Sequence, residues 1–345
     1  MKKQMLFGLI SALAIMAAGC SKPQTTSLPS GVDQHLAWIP QMVNGVAYFD
    51  MQSLRQSELG KALEKDFGEE MAEMRKDRHF KKMLEAAGFD FEKDFHRVLA
   101  GFRGGAHDSA STFALVATGN FDEQKIIATI NAERDSLEEH YGDRERHELI
   151  TETYNGKAIY VIKERDEKAF YFPDAHTLVA GGKDWVQAVI DGKTADRSVK
   201  QNTAVVELIN KLRFKDQCWL VANTAEVMER MAEEMGESRD FRGTRAVKAV
   251  QNVVFSAHVA ERAELNGEAV CDNEENSRLL ADAAKGALAT AKLAVSDDRE
   301  AVDMLNRIDI EMKGKSVEFA ANLDKAFFDK LRERAGKHRK SIAMF

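Results

Sequence analysis

Several short patterns in this 345-residue chain combine residue types that can do chemistry. His147-Glu148-Leu149-Ile150-Thr151 opens like the arrangement in which two histidines, one helical turn apart, hold zinc while a glutamate activates water. Thr151 stands where the second histidine is needed, and the alternation of the segment predicts a strand, not a helix. Gly192-Lys193-Thr194 ends like a phosphate-binding loop, but Gln187 occupies the place of its first glycine, so it reads as a helix stop followed by a loop. His140 and His147 lie among Glu138, Glu139, Asp143 and Glu148; imidazole with carboxylate suits zinc or manganese, yet a solvated helix-to-strand loop has the same composition. They are weak metal candidates. Asp90 and Asp94, four residues apart, either seat a cation or cap the next short helix, with capping favoured. Asp174 and His176 beside Pro173 offer two members of a relay without a serine or cysteine partner, which suits a tight turn better. No nucleophile elbow, glycine-rich dinucleotide loop or CxxC pair occurs, so no catalytic residue is assigned and no cofactor is expected.

The N-terminus carries the most specific signal. Lys2 and Lys3 form a basic start, and no charge follows from Gln4 to Cys20. The apolar run from Met5 to Ala18 is short for a membrane span, which needs about 20 residues. It ends in Ala17-Ala18-Gly19-Cys20, which resembles the lipobox of bacterial lipoproteins. The resemblance implies cleavage after Gly19, a diacylglycerol thioether on Cys20, and acylation of the new amino group. Ser21 in the second position resembles the outer-membrane type of diderm bacteria. Two or three acyl chains hold a protein at a bilayer far longer than one.

Cys218 and Cys271 are the other two cysteines. In an oxidising compartment they either pair, closing a long loop worth about 3–5 kcal/mol, or remain two buried thiols on separate strands. Three cysteines in this length exclude a disulfide-built scaffold. The chain is 44% hydrophobic and 30% charged, enough to bury a core and too apolar for a disordered segment. Its formal net charge of −7, with no long basic run, argues against nucleic acid as the main partner.

The elements that must position these residues follow from periodicity and turn chemistry. Residues 1–19 read as the signal peptide and 20–34 as the lipidated N-terminus and a flexible tether with a reach of roughly 20 Å. Strands are expected at 46–51, 98–102 and 111–118, and a helix beginning at Ser53, with Gln56 completing a capping box. A helix is expected at 69–87, its stripe including Met71, Met74 and Met83, and another at 122–139. Asn155-Gly156 between two alternating runs is a strong hairpin signal. Strands at 168–172 and 177–180 precede a helix from Lys183 that Gly192 stops. In the second half, a strand at 218–222 precedes a helix carrying Met228, Met231 and Met235. Strands at 253–260 and 264–271, a long helix at 276–294 and a hairpin around Gly314 follow.

The fold class is therefore α+β: two similar halves, 35–197 and 198–345, with largely antiparallel meander sheets and helices packed on one face. Pro40 with Asp50-Met-Gln-Ser-Leu54, and Gly88-Phe-Asp-Phe-Glu-Lys-Asp94, resemble segments of uncharacterised envelope lipoproteins with duplicated α+β halves. That resemblance implies an architecture and no activity. The expected function is a lipid-anchored envelope protein acting as a non-enzymatic binding or interaction module, with the membrane and an envelope protein or peptide as partners. The alternatives are a metal-assisted periplasmic hydrolase using His140 and His147, and a carrier whose methionine helices line an apolar groove. An outer-membrane anchor facing the periplasm is the expected location.

Overall fold

The computed structural model describes residues 31–63, 91–103, 112–141, 148–163, 167–213, 215–225 and 248–330. The expected methionine helices at 69–87 and after Thr224 lie outside them, apart from Ala225 at the start of the second.

Among the described residues there are twelve strands, antiparallel wherever neighbours pair within a unit, and the chain is α+β as expected. It divides into two compact units, one formed by 28–53 with 65–206 and the other by 54–64 with 207 onward. In the first, the strand order is β1 (Gly45–Asp50), β2 (Phe95–Arg103), β3 (Thr112–Gly119), β7 (Thr177–Gly182), β6 (Lys168–Asp174), β5 (Lys157–Lys163) and β4 (Glu148–Tyr154). In the second, it is β11 (Ile308–Lys313), β12 (Ser316–Leu323), β10 (Ala263–Cys271), β9 (Val250–Val259) and β8 (Cys218–Asn223). Among the described residues the units carry seven strands and five, and the expected duplication is not shown.

Local chemistry explains the turns. The β4–β5 hairpin closes on Asn155 and Gly156 with φ of 46° and 74°, the doubly left-handed turn that matches strand twist. The first helix, α1 (Val32–Leu36), buries Val32 and Leu36 and begins inside the stretch read as tether. Helix α2 (Met51–Gln56) follows β1 directly, and its cap differs from expectation: Asp50 Oδ1, not the Ser53 hydroxyl, accepts from a first-turn amide, Ser53 N–H at 2.8 Å. An aspartate at the end of a strand is as good a cap as serine, and here it is already in place.

Two helices flank the next strands: the single turn α3 (Phe91–Asp94) leads into β2, and the long α4 (Glu123–Tyr141) follows β3. The Tyr160 hydroxyl on β5 donates to Glu123 Oε1 at 2.7 Å, fastening the start of α4 to the sheet. Helix α5 (Lys183–Ile190) buries Trp185, Val186, Ala188 and Val189 and ends before Gly192, φ 70°. The Trp185 indole N–H donates to Trp38 O at 2.7 Å. A 3-10 turn (Val199–Gln201) and α6 (Thr203–Ile209) come next.

In the second unit α7 (Glu274–Ala294) starts at Asn273, whose side chain accepts from Asn276 N–H, and lays Leu280 and Ala281 over Val250, Val253, Ala269 and Val317. Each apolar side chain buried this way contributes roughly 1.5–3 kcal/mol. Helix α8 (Arg299–Leu305) is capped by Asp298. A second cluster joins Leu59, Val259, Leu288, Ile308 and Phe319.

Candidate functional site

Strand alternation selects the side chains of the first unit's site. Val46, Tyr48 and Asp50 are alternate residues of β1, and register sets Tyr48 opposite Leu99 and Asp50 opposite Arg97. Arg97 in turn faces Thr118 on β3. One face thus carries Tyr48, Asp50, Arg97 and Thr118, although Asp50 and Arg97 are 47 residues apart in sequence.

Asp50 is the hub. It is buried, its Oδ2 accepts from Arg97 Nε at 3.0 Å and from the Tyr48 hydroxyl at 3.3 Å, and its Oδ1 caps α2. Beside it, a small open depression, with room for about one water molecule, is bounded by Gly31, His35, Tyr48, Arg97, Leu99 and Thr118 among others. Burial is the main cause holding the His35 imidazole below its ordinary pKa; Arg97 lowers it further and Asp174 partly opposes both. A neutral imidazole beside a guanidinium offers hydrogen bonds and one cation, without a nucleophile.

The second unit holds a tighter polar group that sequence reading missed. Ser256 and His258 are alternate residues of β9 and point to one face, with Asn266 and Glu264 opposite them on β10. Asp216 comes from the turn just before β8, where its own N–H donates to Arg213 O at 3.1 Å. Its side chain is completely buried, and its Oδ1 lies 4.0 Å from His258 Nδ1. Neither Asp216 oxygen meets hydrogen-bond geometry with any partner. Burial is the chief cause raising this carboxyl above its ordinary value; the Ser256 hydroxyl, His258, Arg213 and Lys215 lower it only in part. Arg213 Nη2 reaches Asn266 Oδ1 at 3.4 Å and its Nη1 lies 3.9 Å from Glu264. Serine, histidine and aspartate meet here, but the serine is buried and faces the carboxyl, so the group lacks an exposed, base-activated hydroxyl.

The sequence-predicted residues fall as follows. Cys20 and His147 lie outside the described residues, as does the side chain of His140, which belongs to α4. Asp90 is also outside, while Asp94 ends α3 and its carbonyl accepts from Asn120 N–H at 2.8 Å. Glu148–Tyr154 is the strand expected in place of a zinc helix. Lys193 Nζ reaches Asp191 at 2.7 Å and Gly192 ends α5, as expected of a helix stop. Asp174 accepts from His176 N–H at 2.7 Å and from the Thr177 hydroxyl at 3.4 Å, while His176 Nδ1 lies 3.0 Å from Gly119 O. That is the expected tight turn, and the carboxylate does not orient the ring.

Cys218 and Cys271 are not disulfide-bonded. Register places Cys218 opposite Ala257 and Cys271 opposite Val250, at opposite ends of β9 and about 20 Å apart along it. Disulfides need Cα atoms within about 7 Å, so the considered pairing gives way to two separate thiols. Burial pushes the Cys271 thiol up to about 11. Among the described residues, no group of three or more His, Cys, Asp or Glu could hold a metal ion. Among them, too, no helix is long and apolar enough to cross a membrane, a statement that leaves β-barrels aside.

No protein-family model matches the chain, and no curated protein matches it. Among solved structures, crystal form I of TP0453 resembles it with a TM-score of 0.41 at 9% identity. The match covers 90% of this chain and 99% of that one. A likeness at that level carries no argument about ligand or activity.

Proposed function

We propose that this chain is a lipid-anchored envelope protein, held at a membrane through Cys20, whose folded units form a non-enzymatic binding or interaction module. The observation that carries the reading is Ala17-Ala18-Gly19-Cys20 at the end of an uncharged apolar run behind Lys2 and Lys3. Ser21 favours the outer membrane, with the units facing the periplasm. The Ser-, Thr- and Pro-containing stretch after Cys20 supplies slack between anchor and fold. The Arg97 depression, with its neutral imidazole and fixed guanidinium, is the surface feature best suited to hold a small polar group of a partner.

Expression in a diderm bacterium fed an alkyne-bearing fatty acid tests the anchor. The full chain acquires the label and sediments with outer membrane, and Cys20→Ala loses the label. A mature chain that starts beyond Cys20, or carries no label, overturns the anchor. In-cell crosslinking tests the module: capture of a discrete envelope component that Arg97→Ala weakens supports it. No captured component, together with turnover of a substrate by the purified protein, overturns it.

A further inference from the structure

Asp216 is an anomaly among the described residues of unit two: a fully buried carboxyl neither of whose oxygens makes a hydrogen bond of good geometry, with only the Ser256 hydroxyl offering partial relief. Buried polar groups are almost always satisfied, and an ionised carboxylate left so is among the costliest things a fold can hold. Its surroundings are built to hold a turn in place. Gln217, the next residue, clamps the Val259 main chain with both ends of its amide: Oε1 accepts from Val259 N–H and Nε2 donates to Val259 O, each at 2.8 Å. His258 Nδ1 lies 3.3 Å from the Lys215 carbonyl. Residues 215–217 are thus pinned to β9, and Arg213 to β10, around a carboxyl whose burial outweighs what its neighbours give the charged form.

Among the described residues, the charged and titratable groups facing Asp216 are His258 from β9, and Arg213 and Lys215 from its own segment. Arg213 is engaged with Asn266 and Glu264 on β10, and Lys215 is exposed. None of these cations makes a close ion pair with the carboxylate. A protonated carboxyl needs no counter-charge and can donate to the Ser256 hydroxyl. An ionised one must either draw Arg213 away from β10 or reach water by lifting the turn.

We propose that Asp216 is a proton-operated latch: protonated, it keeps residues 215–217 seated on β9, and losing that proton as pH rises loosens them. The latch reaches both neighbours of the turn, because α6 ends just before it and β8 starts just after it. Acidification therefore tightens the seat of residues 215–217 on β9, the reverse of what acid does to most buried aspartates. The sign follows from linkage: a group that holds its proton more tightly when seated contributes stability below the ordinary carboxylate range and loses it as pH rises.

Amide hydrogen exchange of the full chain, corrected for the intrinsic effect of pH, tests this. In wild type the opening constant of the 211–218 peptide rises by up to tenfold per pH unit above about pH 4, then levels off at the proton-release point. Asp216→Asn, which keeps the shape and cannot ionise, shows no such rise, and His258→Gln keeps it. A flat wild-type profile overturns the latch, as does an unchanged slope in Asp216→Asn. Loss of the slope in His258→Gln assigns the proton to the histidine and overturns it too. Carbon NMR of the wild-type Asp216 carboxyl needs no variant: titration within the ordinary aspartate range overturns the proposal.

Discussion

Replacing Asp50 tests whether the hub of the first unit is built as described. Asp50→Ala removes three contacts at once: the cap of α2, the acceptor of the Tyr48 hydroxyl and the partner of Arg97. A lost aspartate cap costs about 1 kcal/mol. A lost hydrogen bond in a buried setting costs about 1 kcal/mol more. The ion pair is discounted because the Arg97 side chain is 40% exposed, which leaves about 0.5 kcal/mol. The expected destabilisation is about 2–3 kcal/mol. Asp50→Asn keeps an oxygen for Ser53 N–H and loses mainly the charge, so its expected cost is about 0.5–1 kcal/mol. Amide exchange in β1 and β2, measured through a urea series, reads this unit apart from the other and avoids treating two units as one two-state transition. A cost below about 1 kcal/mol for Asp50→Ala would show that the carboxylate is not the hub, given that a cap alone is worth that much. Equal costs for Asn and Ala would show that charge, not the cap, dominates.

Three further outcomes can be checked directly. Gly101→Ala sets a Cβ 2.3 Å from Ile39 Cγ2 in the core, so the first unit loses about 1–3 kcal/mol, read as a lowered urea midpoint. Gly156→Ala, at φ 74° with open space around it, costs about 1–2 kcal/mol through backbone strain alone; an unchanged midpoint would contradict the turn geometry. Cys271, buried and with its thiol pushed up to about 11, resists alkylation at pH 8 in the native chain and reacts once urea unfolds the second unit. Labelling in the folded state, seen by mass spectrometry, would show that the β10 end is open.

The features legible in the sequence are those set by neighbours a few residues apart. Asn155-Gly156 fixes its hairpin because both residues tolerate positive φ, and the Gly192 stop and the start of the 274–294 helix likewise depend on residues within one turn. Alternating runs showed most of the strands for the same reason. Short helices escaped: α1, α6 and α8, of five to seven residues, fall below the window in which a 3.6-residue period can be told from chance. The Ser53 cap was misplaced because local pattern cannot tell which of two capping residues three positions apart already sits at the strand end.

Long-range register decided the chemistry. Asp50 meets Arg97 across 47 residues because β1 and β2 pair with those two positions opposed. Asp216 meets Ser256 and His258 because a turn before β8 folds over β9, and no spacing in the chain announces it. Register also separates Cys218 from Cys271, which composition and compartment alone would have allowed to pair. The sequence by itself determined the turns and the α+β class, since each rests on local backbone preference and periodicity. Only tertiary structure decided which polar side chains share a face and which of them are cut off from water. Pairing and burial depend on which distant segments pack together.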